Sequence, residues 1–131
     1  MTAHPLIEPA RQSDVPAMAR LTREAIERGL APRWTGPRIA AQLRRSDTVA
    51  VVARAGEERA GFGIMRFGRG AAHLALLAVA PERRRRGVGR ALVEWLEATA
   101  RVGGIVVVHL EARASGTGAL EFCRQLGYEE S

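Results

Sequence analysis

The sequence predicts an α/β protein built on a mixed β-sheet, and three patterns support this fold class. Apolar residues recur at helical spacing in two long segments, residues 15–26 and 88–102. β-Branched and apolar runs at residues 48–53 and 61–67, separated by a polar turn, indicate an antiparallel hairpin. Strands at residues 73–79 and 105–110 enclose the second long helix, so they are expected to be parallel neighbours joined by a right-handed crossover.

Three further elements complete the predicted order β-α-α-β-β-β-α-β-α. They are a first strand, a short second helix and a last helix, over residues 6–9, 38–45 and 116–126. Ser13 or Asp14 is expected to cap the first long helix, and Gly29 to end it. In the second long helix, Leu92 and Leu96 are expected on the inner side.

The composition predicts one domain, residues 1–131, with a core of its own. The chain is 47% apolar and 26% charged, and its 131 residues fit a single domain. No apolar run reaches the length of a membrane span, and the N-terminus lacks the basic and apolar regions of a secretory signal. Cys123 is the single cysteine, which excludes an internal disulfide and a multi-cysteine zinc site. We therefore expect a cytoplasmic protein without a metal or a membrane partner.

All twenty basic residues are arginine, and the net charge is +6. GC-rich coding accounts for much of this bias, so the net charge alone does not separate nucleic acid from a nucleotide cofactor. Aromatic residues make up only 5% of the chain, and no recognised nucleic-acid motif is present. A nucleic-acid partner is therefore not expected, and the positions of the arginines are more informative than their number.

The basic segment before the second long helix has the features of a pyrophosphate site. Arg83 to Arg86 lead directly into Gly87-Val88-Gly89, and Arg90 follows in the first turn of the helix. A helix N-terminus offers unpaired N–H groups and the positive end of the dipole. The glycines keep side chains away from these groups, and the arginines add forked donors. The structural alternative is a solvated arginine run in which the glycines only ease a turn.

Two other nucleotide-binding motifs are excluded. A P-loop would need Gly-Lys-Ser/Thr, which does not occur here. A Rossmann site is closer, since Glu111 lies at a suitable distance downstream. However, Leu92 occupies the position of the third small residue, and seven residues, Ala80 to Arg86, separate the strand from the first glycine.

The segment Arg84-Arg85-Arg86-Gly87-Val88-Gly89 resembles the Gln/Arg-x-x-Gly-x-Gly/Ala signature of the GNAT acetyltransferase superfamily. A second block is similar to the protein N-terminal acetyltransferases of that superfamily: Leu110-Glu111-Ala112-Arg113, residues 119–122 and Leu126-Gly127-Tyr128. The resemblance implies a splayed mixed sheet with helices on both faces. Members usually continue into two more strands, so this chain is expected to lack them, and the uncovered edge would favour a homodimer.

The same resemblance implies acetyl-CoA as co-substrate and direct acetyl transfer to a primary amine of a small molecule or protein N-terminus. Glu111 would be the base, acting through water, with His109 as the alternative on the same strand face. The Val79 amide would stabilise the oxyanion. The residues that would bind the cofactor are Leu77, Ala78, Val79, Arg84, Arg85, Arg86, Gly87, Val88, Gly89 and Arg90.

Two positions depart from the family pattern. The tyrosine that usually protonates the departing thiolate falls on Cys123, and Gly116 replaces a common asparagine. A thiol with a pKa of about 8.5 could protonate a thiolate of similar basicity. Cys123 could equally be a small buried helix residue. The alternative to an enzyme is therefore an acyl-CoA-binding or regulatory module without turnover.

Overall fold

The computed structural model describes residues 6–25, 34–68, 71–83, 87–102, 107–110 and 129–130, which contain six strands of one sheet. The strands are β1 (Leu6–Pro9), β2 (Thr48–Ala55), β3 (Glu58–Phe67), β4 (Ala71–Val79), β5 (Val107–Leu110) and β6 (Glu129–Glu130). They lie in sequence order across the sheet. The first four are antiparallel, whereas β4–β5 and β5–β6 are parallel pairs. The mixed sheet predicted from the sequence is confirmed.

Two layers of helix cover this sheet. The helices are α1 (Val15–Ala25), α2 (Gly36–Leu43) and α3 (Val88–Val102), with 3₁₀ turns at Gln12–Asp14 and Pro81–Arg83. Helix α3 packs on one face, where its buried residues are Val88, Leu92, Val93, Leu96 and Ala100. Helices α1 and α2 pack on the other face with the opposite side chains of β3 and β4. Helices therefore lie on both faces, as the family resemblance implied.

Most element boundaries agree with the sequence prediction, and the differences have local causes. Strands β2 and β3 extend to a two-residue turn in which Gly56 has a φ of +66°, a conformation that favours glycine. Helix α2 begins two residues early because the Thr35 hydroxyl accepts a hydrogen bond from the Arg38 amide, and Pro37 suits a first turn. Strand β6 was not predicted, since the sheet was expected to end at β5. The predicted last helix lies outside the described residues.

Helix α3 lies close to β3 because two glycines of that strand carry no side chain. A Cβ atom on Gly61 would be 2.7 Å from the Ala78 carbonyl oxygen and 3.3 Å from Leu92 Cδ1. A Cβ atom on Gly63 would be 3.0 Å from Leu96 Cδ1. Gly61 is the register partner of Val79, so the beginning of α3 lies over the C-terminal end of β4.

A buried ionic cluster joins the start of α1 to the β2–β3 hairpin. Asp14 is fully buried and accepts hydrogen bonds of 2.8 Å from the Arg11 amide, Arg54 and Arg59. Arg54 also pairs with Glu8 on β1. Burial acts to raise the pKa of Asp14, but these hydrogen bonds and the two guanidinium charges outweigh it and lower the pKa below its ordinary value. The carboxylate is therefore ionised in the folded protein at neutral pH.

We expect Asp14→Asn to lower the free energy of unfolding by about 2 kcal/mol at pH 7, because the buried side chain loses the negative charge that pairs with Arg54 and Arg59. Since folding depresses the pKa of Asp14, its contribution is complete above about pH 4 and is lost as the pH falls through the folded-state value. Urea unfolding across this pH range measures the difference from the wild type.

Asp47→Asn is the matched control for this prediction. A hydrogen bond from Arg45 is the main cause that lowers the pKa of Asp47, to about 2, but the pair is exposed to solvent. Exposed ion pairs contribute little to stability, so this variant should unfold almost like the wild type. Equal losses in the two variants would show that burial of Asp14 does not set the strength of its cluster.

Candidate active site

Strand β4 carries a β-bulge next to its last described pair with β5. In the β3–β4 register, Ile64 faces Leu76 and Met65 faces Leu74, so Ala75 has no opposing residue. The last described β4–β5 pair is Leu74 with Leu110. Bulges bend a strand and increase its twist. Beyond Leu74, β4 therefore continues to Val79 with β3 on one side and, in the described residues, no strand pair on the other.

The side chains of this C-terminal half of β4 belong to the core. Leu77 and Val79 pack on the α3 face, whereas Ala78 packs with α1 and α2. All three are buried, at no more than 8% exposure. A ligand beside this part of β4 would consequently meet the edge of the strand, where backbone N–H and C=O groups are the available polar partners.

Helix α3 begins at a glycine whose conformation explains its presence. Gly87 has a φ of +81°, and its carbonyl oxygen accepts the first helical hydrogen bond, from the Ala91 amide at 3.0 Å. Val88 is buried and anchors the first turn, whereas Gly87 and Arg90 are exposed. The amides of this first turn have no partner four residues earlier within the helix. A helix start of this kind suits an anion, and a Cβ atom on Gly87 would meet nothing within 4 Å.

The predicted site residues are only partly within the described structure. Leu77 to Val79 and Gly87 to Arg90 lie at the end of β4 and the start of α3, which are brought together by the packing of Leu92 on Gly61. Arg84, Arg85 and Arg86 lie between these segments and outside the described residues, as do Glu111 and Cys123. His109 lies on β5 in register with His73 of β4.

This arrangement can bind an elongated, phosphorylated thioester at two points. The side of β4 away from β3, which has no described strand pair beyond Leu74, suits an amide-containing arm, because an extended chain can bond to a strand edge. The start of α3 suits a pyrophosphate, because first-turn amides and the helix dipole favour an anion. Coenzyme A carries both groups, so the described residues fit it. They contain no cluster of three or more His, Cys, Asp or Glu side chains that could hold a metal ion.

Sequence reasoning missed two features that shape this site. The bulge at Ala75 occurs in an unbroken apolar run, Leu74 to Val79, which gives no local sign of an extra residue. Gly61 and Gly63 were assigned only to a strand, although glycine within a strand is a known sign of close backbone approach. That signal could have indicated where α3 packs.

Comparisons with known proteins agree with this geometry. The sequence profile of the acetyltransferase (GNAT) family matches residues 16–128. This match covers most of the chain, and it includes the β4–α3 segment and the second motif block. The chain therefore belongs to the GNAT acetyltransferase family, and the resemblance inferred from its two motifs is confirmed.

Individual relatives include enzymes that modify ribosomal protein. The [ribosomal protein bS18]-alanine N-acetyltransferase of Salmonella typhimurium is 36% identical over 77 residues, which are 59% of this chain and 52% of that enzyme. The chain thus matches about half the length of this relative. The ribosomal-protein-S18-alanine N-acetyltransferase of Escherichia coli is 27% identical, with a TM-score of 0.80 over 97% of this chain and 79% of that one.

A more distant structure shows the same fold. The PaiA N-acetyltransferase of Thermoplasma acidophilum, solved with coenzyme A, has a TM-score of 0.79 at 18% identity and covers 95% of this chain and 89% of its own. The GNAT-type fold expected from the sequence is thereby confirmed. Among the described residues, no helix has the length and apolar character needed to cross a membrane.

We expect Gly87→Val to weaken the binding of coenzyme A more than tenfold, which corresponds to about 1.4 kcal/mol or more. A branched side chain strains the backbone at a φ of +81° and adds bulk beside the first-turn amides. Isothermal titration calorimetry with coenzyme A measures the change in affinity.

Gly56→Val controls for backbone strain alone. Gly56 is also exposed, has a φ of +66° and has open space around its Cβ position, but it lies in the β2–β3 turn. Both variants should lose stability, whereas only Gly87→Val should lose coenzyme A affinity. Unchanged affinity in Gly87→Val would remove the pyrophosphate from the start of α3.

Proposed function

We propose that this protein is an acetyl-CoA-dependent N-acetyltransferase that moves an acetyl group directly to a primary amine. The observation that carries this proposal is the juxtaposition of the C-terminal end of β4 with the Gly87-capped start of α3, in a chain of the GNAT family. The acceptor amine belongs to a small molecule or to the N-terminus of a protein.

In this proposal, acetyl-CoA lies along the side of β4 away from β3 and ends at the start of α3. Leu77, Ala78 and Val79 contact the pantetheine arm and the thioester through their backbone groups, since their side chains are buried. The pyrophosphate is bound by the residues predicted from the sequence, which are Arg84, Arg85, Arg86, Gly87, Val88, Gly89 and Arg90. Backbone amides and arginine forks together neutralise its charge.

The chemical step needs one group to remove a proton from the ammonium and another to protonate the departing thiolate. We assign the first role to Glu111. It follows Leu110, which pairs with Leu74 just before the bulge in β4, so Glu111 is proposed to lie beside the part of β4 that binds the thioester. His109, the alternative base, is the register partner of His73, two residues before the bulge in β4. It is therefore further along the chain from the proposed thioester site than Glu111, which favours Glu111.

The Val79 amide is proposed as the donor to the oxyanion that forms when the amine attacks the thioester carbonyl. Val79 is the last residue of β4, opposite Gly61, and its neighbour Ala80 donates an amide hydrogen bond of 2.8 Å to the Ala60 carbonyl. This bond fixes the end of the strand, as a preorganised donor requires. Cys123 and solvent are the two candidates for protonating the thiolate.

The proposal includes the setting of the reaction. We propose that the protein acts in the cytoplasm. A chain with a single cysteine needs no oxidising compartment, and the proposed reaction needs a compartment that contains acetyl-CoA. A homodimer remains a prediction from the sequence, as does the absence of a nucleic-acid partner. Since the relatives above acetylate an alanine of ribosomal protein S18, peptides with N-terminal alanine are the first acceptors to test.

The second candidate function is acyl-CoA binding without turnover, and the observation that favours it is cysteine at the position of the usual acid. We expect purified protein to release free thiol from acetyl-CoA in the presence of an amine panel containing alanine-initiated peptides, polyamines and aminoglycosides. Tight coenzyme A binding with no thiol release from any acceptor would establish the second function instead.

Glu111→Gln separates binding from chemistry. We expect this variant to bind acetyl-CoA almost as tightly as the wild type and to turn over at least tenfold more slowly at neutral pH, because general base catalysis contributes about 10²–10⁴-fold to a rate. The rate should approach the wild-type value at alkaline pH, where the amine is deprotonated in solution. His109→Gln is the control, and a larger loss in that variant would move the base to His109.

A further inference from the structure

The connection from β4 to α3 is attached to the start of β3. The Ala80 amide donates to the Ala60 carbonyl at 2.8 Å, and the Arg83 amide donates to the Ala80 carbonyl at 2.9 Å. The Arg83 guanidinium donates to Glu58 Oε2 at 2.8 Å. Only 26% of the Arg83 side chain is exposed, compared with 73% for Glu58. Protein therefore already covers most of the arginine in its paired conformation.

This ion pair gives Arg83 a defined partner within the protein. The sequence presents four consecutive arginines before Gly87 and gives no reason to treat them differently. In the structure, the Arg83 fork is engaged by a carboxylate of β3, so part of its capacity for a second anion is already used. Arg83 is the first residue of the basic segment, residues 83–86, and its ion pair attaches that residue to β3.

Glu58 stands on a rigid support. It is the first residue of β3 and pairs in register with Ala55 across the two-residue turn. The next residue, Arg59, donates a hydrogen bond of 2.8 Å to the fully buried Asp14. The hairpin end is thus fixed to α1 on one side and, through Glu58, to the basic loop on the other.

We propose that Glu58 is a positioning residue for acetyl-CoA binding, and that Arg83 serves its ion pair with Glu58 rather than the pyrophosphate. The inference rests on the proposed pyrophosphate site at the start of α3. By fixing the turn Pro81–Arg83, which leads towards the start of α3, the pair reduces the conformational entropy lost on binding. Arg83 and Glu58 do not touch the reacting atoms.

Two physical effects of Glu58 have opposite signs, which makes the inference testable. A carboxylate near a pyrophosphate repels it, so removing its charge would strengthen coenzyme A binding if field effects dominated. Removing a tether would weaken binding instead. Glu57 is an exposed glutamate one residue away, in the turn, and its substitution removes the same charge without removing the ion pair.

The first experiment measures coenzyme A affinity by titration calorimetry for Glu58→Gln and Glu57→Gln in the full chain. We expect Glu58→Gln to weaken binding about threefold, the size that an exposed ion pair supports. Glu57→Gln should bind at least as tightly as the wild type. Affinity for pantetheine, which lacks the pyrophosphate, should be equal in all three proteins. Unchanged or tighter coenzyme A binding by Glu58→Gln, or an equal loss for pantetheine, would overturn the inference.

The second experiment tests Arg83 by a double-mutant cycle. If Arg83 acts only through Glu58, Arg83→Gln should weaken coenzyme A binding about as much as Glu58→Gln, and the double variant no further. Additive losses would make Arg83 a direct phosphate ligand and overturn the inference. Gly87→Val, measured in parallel, tests the underlying site. If Gly87→Val binds normally, the pyrophosphate assignment fails; if only Gly87→Val binds weakly, the tether alone fails.

Discussion

The close packing of α3 on β3 is the constraint on which the rest of this site depends. Gly61 and Gly63 leave no space for a Cβ atom, so Leu92 and Leu96 lie almost directly on the strand backbone. Because Gly61 is paired with Val79, this contact places the start of α3 over the end of β4. An anion held by the helix N-terminus and an arm held by the strand edge can then belong to one ligand.

The bulge at Ala75 is the second feature that shapes this part of β4. Strands β4 and β5 pair in parallel from Ala71 to Leu74, and then β4 bends at the unpaired residue. Ala75 and Leu76 consequently pack on the same face, although neighbours in a regular strand point to opposite faces. The extra residue thus changes both the direction of the strand and the face on which each following side chain lies.

The two groups of ion pairs at the end of the β2–β3 hairpin have different roles. Asp14 is buried with Arg54 and Arg59, so its role is to hold α1 to the hairpin, and its loss leaves cations without their partner. Arg83 and Glu58 form a more exposed pair at the same hairpin end, where the effect on stability is small and the proposed role is to position the turn before α3. The arginines of this chain therefore do not share one role. The acidic partner of each of these three arginines, Asp14 or Glu58, determines what that arginine does.

The sequence by itself determined the family and most of the order of the elements, and it indicated the segment proposed to bind the cofactor. Helical periodicity placed α3 from Gly87 or Val88 to Val102, and the structure has Val88–Val102. The signature ending at Gly89 needs no tertiary contact to be recognised, because its chemistry is local to one loop and one helix start. Only the tertiary structure decided that Ala75 is a bulge, that Gly61 and Gly63 lie against α3, and that Arg83 pairs with Glu58. These features depend on strand register and on residues 25 positions apart, which local sequence patterns do not encode.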